Sequence, residues 1–273
     1  MTAVILLLNI YIQISLKGII VMVIFQAHKG VSTEYPENTM PAFEAAIRQG
    51  YTIIELDVGV TKDEQFVLLH DDRINRTGRN SDGSSIDKEI YLSDLTYSEI
   101  MQYDFGYWFS ERFKGTKLAL LKDVLELCRK HSVKVKIDNK YQSFSAEQKQ
   151  KLFELLKPYE DIAMLTCFSI EAIEEAGKCF PDMHLHYDGI VSEDELDKLH
   201  AMIPEEQLTV WLPYQNAHTS WVRVPFADEA LASMVKKYAN LGIWILSEDR
   251  EFDEAVRLGA DVVETNGEIK PKN

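Results

Sequence analysis

The chain of 273 residues is 46% hydrophobic, 27% charged and 10% aromatic, a balance that excludes a disordered polypeptide, a collagen-like repeat and a small disulfide scaffold. Its formal net charge of −15, from 44 acidic against 29 basic residues, repels a polyphosphate backbone and sets nucleic acid aside as a partner. An anionic small molecule would need a local cationic pocket or a metal ion.

The three cysteines, Cys128, Cys167 and Cys179, cannot all pair and lack metal-site spacing, so reduced core thiols in a cytoplasmic protein are expected. The opening stretch MTAVILLLNIYIQISLKGIIVMVIFQ is the most apolar of the chain. It carries neither the basic n-region nor the small-residue cleavage site of a signal peptide. A spanning helix needs about 20 apolar residues, but Asn9, Gln13 and Lys17 interrupt this run, and residues 21–27 read as a first strand. Residues 1–21 therefore stand apart as an extension: a packed element, or a segment ahead of a natural start at Met22. A membrane anchor is the less favoured alternative.

From residue 22 on, β-rich runs alternate with helix-patterned stretches, the signature of βα units around a parallel sheet. Strands are expected over residues 21–27, 52–58, 133–137, 162–168, 184–187, 208–212, 243–246 and 261–265. Helices are expected to begin near Thr39, Lys122, Ala146, Ile170, Glu193, Ala227 and Phe252. This order predicts one (β/α)8 TIM barrel spanning residues 22–273. Eight residues follow Thr265, too few for a full eighth helix, so residues 1–20 are expected to fill that place or cover the barrel floor.

One further run, residues 66–69, follows strand two too closely for a parallel crossover. It is expected to return antiparallel, with Val58 near Leu69 and His70 brought back beside Asp57. Residues 71–117, with Gly78, Gly83, Trp108 and Gly115, read as an insertion before the next helix.

Barrel chemistry sits at the C-terminal ends of the strands. Those ends carry His28-Lys29-Gly30, Glu55-Leu56-Asp57, His70-Asp71 and Asp138-Asn139-Lys140. Alternation sends Glu55 and Asp57 to one face, the interior, where they repel unless something neutralises them. With Asp138 they form an oxygen set suited to one divalent ion, Mg²⁺ or Ca²⁺. His28 and His70 are candidate acid and base, and Lys29 and Lys140 are cationic donors for an anionic group. Together these parts suit metal-assisted cleavage of a small phosphodiester. Each is weak alone: an E-x-D pair is common on surfaces, and a strand-end histidine is more often structural.

The segment AHKGVSTEYPENTMPAFEAAIRQGYTIIELDVGVTKDEQFVLLHDDRINRTG resembles the opening block of the glycerophosphodiester phosphodiesterase family almost position for position. LALLKDVLELC, KIDNK, IWILSE and GADVVETN continue the likeness more loosely. The resemblance implies a barrel with a small insertion, a divalent metal on Glu55, Asp57 and Asp138, and His28 with His70 as the acid/base pair. It implies hydrolysis to glycerol 3-phosphate and an alcohol through a cyclic phosphate. Lys140 matches a phosphate-facing lysine, and Trp244 and Phe168 match apolar positions at the glycerol end. Glu37, in PENT, is either part of a helix start with Thr39 as cap and Pro41 in the first turn, or a residue orienting a ligand from behind.

Three positions depart from the family pattern: Lys29 replaces an arginine, Asp138 a glutamate, and Asn266 an aspartate. Lysine is a point charge where arginine offers a fork. A lyase that stops at the cyclic phosphate and a silent headgroup-binding barrel are the alternatives. After strand six, Trp211, Tyr214 and Trp221 either contact the alcohol or pack their loop.

Overall fold

The computed structural model describes residues 11–14, 20–215 and 225–271. Eight parallel strands close on themselves: β1 (Ile20–Ala27), β2 (Ile53–Leu56), β3 (Lys134–Ile137), β4 (Ala163–Cys167), β5 (Leu185–Tyr187), β6 (Leu208–Pro213), β7 (Asn240–Leu246) and β8 (Val262–Thr265). β1 closes the ring, pairing with β8 from Ile24↔Val262 to Ala27↔Thr265 and with β2 at Gln26↔Ile53. Among the described residues, one barrel helix follows each of the first seven strands: α1 (Met40–Arg48), α2 (Leu121–Lys130), α3 (Ala146–Leu156), α4 (Ile170–Cys179), α5 (Glu193–Met202), α6 (Glu229–Val235) and α7 (Asp249–Arg257); a single helical turn, Tyr97–Ile100, lies in the insertion ahead of α2. The fold is the expected TIM barrel.

Strand alternation divides the apolar residues into two cores. Phe25, Ile54, Val135, Leu165, Leu185, Val210, Ile243 and Val263 point outward into the main cluster beneath the helices. Ile24, Ile53, Met164, Trp211, Trp244 and Val262 fill the interior as a separate cluster. Gly242 leaves room there for the Trp211 indole, because a Cβ on it would lie 2.5 Å from ring carbons. A Gly242→Ala variant should therefore lose about 1–3 kcal/mol of stability through overpacking, read by denaturant unfolding.

Several boundaries differ from expectation, each for a local reason. α6 starts at Glu229, not Ala227, because the Asp228 side chain accepts from the Leu231 amide. α7 starts at Asp249, ahead of Phe252, through a capping box between Glu248 and Glu251. β7 begins at Asn240 rather than 243, where Asn240 pairs with Thr209. Cys128 and Cys167 are buried thiols, but Cys179, at the end of α4, is exposed and no core residue.

Tyr11–Ile14 forms a strand antiparallel to the start of β1, from Tyr11↔Val23 to Ile14↔Ile20. These residues extend a strand at the N-terminal end of the barrel instead of replacing a helix; the rest of the expected N-terminal element lies outside the described residues. No helix among the described residues is long and apolar enough to cross a membrane.

After β2, Val58–Val60 and Phe66–Leu68 form the expected antiparallel hairpin. Its register is one residue tighter than expected, with Val58 opposite Leu68, since Thr61 closes the turn by donating its amide to the Gln65 carbonyl at 3.0 Å. The Leu69 amide donates to the Asp57 carbonyl at 3.0 Å, so His70 emerges next to Asp57. The chain then packs a small core of its own from Val67, Leu69, Ile74, Leu92, Ile100, Phe105 and Leu118 before entering α2.

Candidate active site

A cavity of about 500 Å³ opens at the C-terminal ends of the strands. It is lined by His28 and Lys29 after β1, by Glu55 and Asp57 from β2, and by His70 from the hairpin return. Asp138 and Lys140 after β3 and Trp244 on β7 complete the predicted set found there. Two predicted residues are not among its lining. Phe168 is 53% exposed just past β4, and Glu37 stands behind Lys29.

The β1 turn explains how a strand end reaches the carboxylates. Lys29 and Gly30 both take left-handed φ, 59° and 79°. This aims the Lys29 amide at Glu55 Oε2, 2.9 Å away, and a Cβ on Gly30 would come within 2.8 Å of the α1 backbone. Thr39 occupies the N-cap of α1 as expected, but its hydroxyl donates to the Pro36 carbonyl at 2.6 Å instead of capping. The neighbouring Asn38 carries the functional load: its Nδ2 donates to Asp57 Oδ2 at 2.8 Å and its Oδ1 accepts from the Asp57 amide at 3.1 Å.

Glu55 and Asp57 are 3% and 2% exposed, so their ionisation is set by neighbours. Burial, together with the charges of Asp57 and Glu264, pushes the Glu55 carboxyl well above its ordinary range. Burial also acts on Asp57, but Lys140, Lys29 and His70 outweigh it and hold that group low; Lys140 Nζ lies 2.8 Å from Asp57 Oδ1. Burial and Asp57 raise Asp138. Among the described residues, the expected three-carboxylate cage is not drawn tight around an ion-sized point: Asp57 is held by Lys140 and Asn38, and Glu55 by the Lys29 amide. The donor chemistry still fits a divalent cation, since the three hard oxygen donors share one cavity and the Asp57 charge raises the proton affinity of Glu55 and Asp138, a repulsion that a cation relieves.

The two histidines are fixed through Nδ1. His28 Nδ1 is 2.7 Å from Asn266 Oδ1, which also accepts from Ser32 Oγ at 3.2 Å. The ring therefore carries its hydrogen on Nδ1, and Nε2 is left for proton transfer. Burial lowers the His28 pKa, with Glu264 opposing, so the ring rests neutral. His70 Nδ1 donates to Asp71 Oδ1 at 2.6 Å.

Behind this pair, Arg76 grips Glu37 with two nitrogens, at 2.6 and 3.0 Å, and Asp71 with Nε at 2.6 Å. Glu37 reaches Lys29 Nζ at 3.7 Å. Glu37 thus ties the Lys29 turn to the His70–Asp71 pair through one guanidinium. Arg76→Lys removes the fork that spans two carboxylates and should lower turnover on the order of tenfold, one charge-assisted hydrogen bond's worth, with an unchanged fold by circular dichroism.

Several residues in and around the site carried no sequence signal. Asn38 was legible only as part of a helix start. Lys136 and Glu264 read as ordinary strand positions until the barrel closes, and then they face each other at 3.2 Å. Asp188, after β5, accepts from Asn139 Nδ2 at 2.6 Å, and burial with the Asp138 charge pushes its carboxyl up to about 7. Trp211 is buried in the interior, donating its indole N–H to His186 Nδ1 at 2.8 Å. Tyr214 is also buried, its hydroxyl on Glu254 at 2.5 Å; Trp221 lies outside the described residues.

Residues 28–175, more than half the chain, match the glycerophosphoryl diester phosphodiesterase family. The chain belongs to that family. It is by that membership a phosphoric diester hydrolase. A glycerophosphodiester phosphodiesterase of Caldanaerobacter subterraneus subsp. tengcongensis is 27% identical over 88% of this chain and 92% of its own. A rat (Rattus norvegicus) protein named lysophospholipase D GDPD1 is 27% identical over 90% of this chain and 84% of its own. Among solved structures, a phosphodiesterase of Oleispira antarctica in complex with sn-glycerol-3-phosphate superposes with a TM-score of 0.71 at 21% identity, covering 89% of this chain and 93% of that one.

Proposed function

We propose that this family member hydrolyses glycerophosphodiesters to glycerol 3-phosphate and an alcohol, by histidine acid/base catalysis through a cyclic phosphate. The observation that carries the reading is the unequal setting of two histidines on one cavity. His28, buried and neutral with its hydrogen on Nδ1, suits removal of a proton. His70, with Nδ1 on a carboxylate, suits its delivery.

In the first step His28 Nε2 takes the proton of the glycerol hydroxyl beside the phosphate. That oxygen bonds to phosphorus, the bond to the other alcohol breaks, and His70 protonates the departing oxygen. Water then opens the ring with the roles reversed, leaving the monoester. The ammonium groups of Lys29 and Lys140 face the phosphate charge, and Trp244 gives the glycerol end an apolar wall. Phe168, exposed just past β4 and outside the cavity lining, is assigned no contact with the glycerol end in this reading.

Glu55, Asp57 and Asp138 would hold one divalent ion, Mg²⁺ or Ca²⁺. When bound, it neutralises phosphate charge and polarises a phosphoryl oxygen. Residues 22–273 form the catalytic unit in this reading, with residues 1–21 an extension of it. The free thiols suit a cytoplasmic, reducing setting.

The test incubates purified protein with glycerophosphocholine, glycerophosphoethanolamine and glycerophosphoglycerol, with Mg²⁺, Ca²⁺ or chelator, and follows products by ³¹P NMR. Metal-dependent glycerol 3-phosphate is the expected outcome. A persistent cyclic product would make it a lyase, and intact diester under every condition would refute turnover of this class.

A further inference from the structure

One feature of the barrel is unused by the reaction just described: an ion pair inside it, on the wall of the cavity. Lys136 on β3 and Glu264 on β8 have side chains only 8% and 5% exposed. Two apolar residues could fill this space at lower desolvation cost, so a buried pair calls for another reason.

Its geometry supplies one. Glu264 Oε2 takes the Lys136 ammonium at 3.2 Å and the Gln26 amide from β1. Lys136 Nζ also lies 4.1 Å from the centre of the Trp211 ring, which steadies it. The other oxygen, Oε1, is left 3.9 Å from His28 Nε2. Across the ring, Nδ1 is on Asn266 Oδ1 at 2.7 Å. Both ring nitrogens of His28 therefore face an oxygen from one strand end, Glu264 on β8 and Asn266 just past it.

We propose that Glu264 is a positioning residue for His28, anchored by Lys136. It lies 3.9 Å from Nε2 and stabilises the positive charge that the ring gains on taking the hydroxyl proton. Glu264 itself takes no proton; the hydrogen passes from the substrate oxygen to Nε2 and later returns. The other charged groups acting on the ring are Lys29, from the turn after β1, and Asp57, from the end of β2. The inference rests on the hydrolase reading.

The test compares wild type with Glu264→Gln, Glu264→Asp and the charge-free pair Lys136→Met/Glu264→Gln, by steady-state kinetics on glycerophosphocholine and by ¹⁵N NMR of histidine-labelled protein. Glu264→Gln and the double variant are each expected to lower kcat by about 10–100-fold, as loss of an orienting partner does, with KM within about threefold of wild type. Glu264→Asp, which keeps the charge, should recover part of the rate. In both Gln variants the His28 ring should take up its proton at lower pH than in wild type. A double variant that turns over like wild type, with an unmoved His28 signal, would overturn the proposal. If Glu264→Gln alone fails to fold, the double variant decides. If wild type cleaves no phosphodiester, the hydrolase reading fails and the NMR comparison decides the positioning role by itself: a shifted ring supports it, an unmoved one sinks it.

Discussion

A His70→Ala enzyme is expected to lose about 10²–10⁴-fold in kcat on glycerophosphocholine, the usual contribution of a positioned acid or base. It should regain most of that loss in the release of 4-nitrophenolate from the diester of glycerol 3-phosphate with 4-nitrophenol, with the cyclic phosphate then accumulating. The reason is chemical. Choline leaves as an alkoxide that needs a proton, whereas 4-nitrophenolate departs without one. His28→Ala should be equally slow on both substrates, because removing the attacking hydroxyl's proton is needed whatever leaves. The two variants assayed on two substrates thus separate the roles assigned from Asn266 on one ring and Asp71 on the other. Rescue of His28→Ala alone would show the assignment to be reversed, and equal rescue of both variants would show it to be shared.

The second large effect is on stability. Lys136→Met leaves Glu264 charged in the barrel interior, with Gln26 as a remaining partner. Breaking a buried pair on one side typically costs about 3–5 kcal/mol, which for a chain of this size lowers Tm on the order of 10 °C. The Lys136→Met/Glu264→Gln enzyme should recover most of that loss, since no bare charge remains. Differential scanning calorimetry of the three proteins checks it; a single variant as stable as wild type would mean that water reaches Glu264.

Much of the site was legible because it is local. Glu55, Asp57 and His70 lie on one strand and one hairpin, so a period of two and a turn length were enough to bring them together. His28 and Lys140 were readable as strand ends. What escaped depends on closure: Glu264 faces Lys136 across the interior from residues 128 positions apart, and no window along the chain holds that relation. Asn38 escaped differently, since the rules for helix starts explain an Asn before a Thr without reference to Asp57. Phe168 matched a family position, yet a residue one step past a strand end is free to turn outward, and it does. The carboxylate cage was read as a closed set because the sequence shows donors and not their competing partners, Lys140 and Asn38 for Asp57.

The joint between the first and last strands has a bearing on how the molecule fails. His28 is held by Asn266, the Thr33 amide donates to the Asn266 carbonyl at 3.0 Å, and the Tyr51 hydroxyl donates to the Ile269 carbonyl at 2.8 Å. The clasp that shuts the wheel of strands is thus also the hand that holds the base. Local opening of residues 266–271, which follow β8 and lie outside the sheet, would release His28 while the strands stayed paired. Inactivation on heating or proteolysis should therefore run ahead of global melting: the enzyme would go silent while still looking folded.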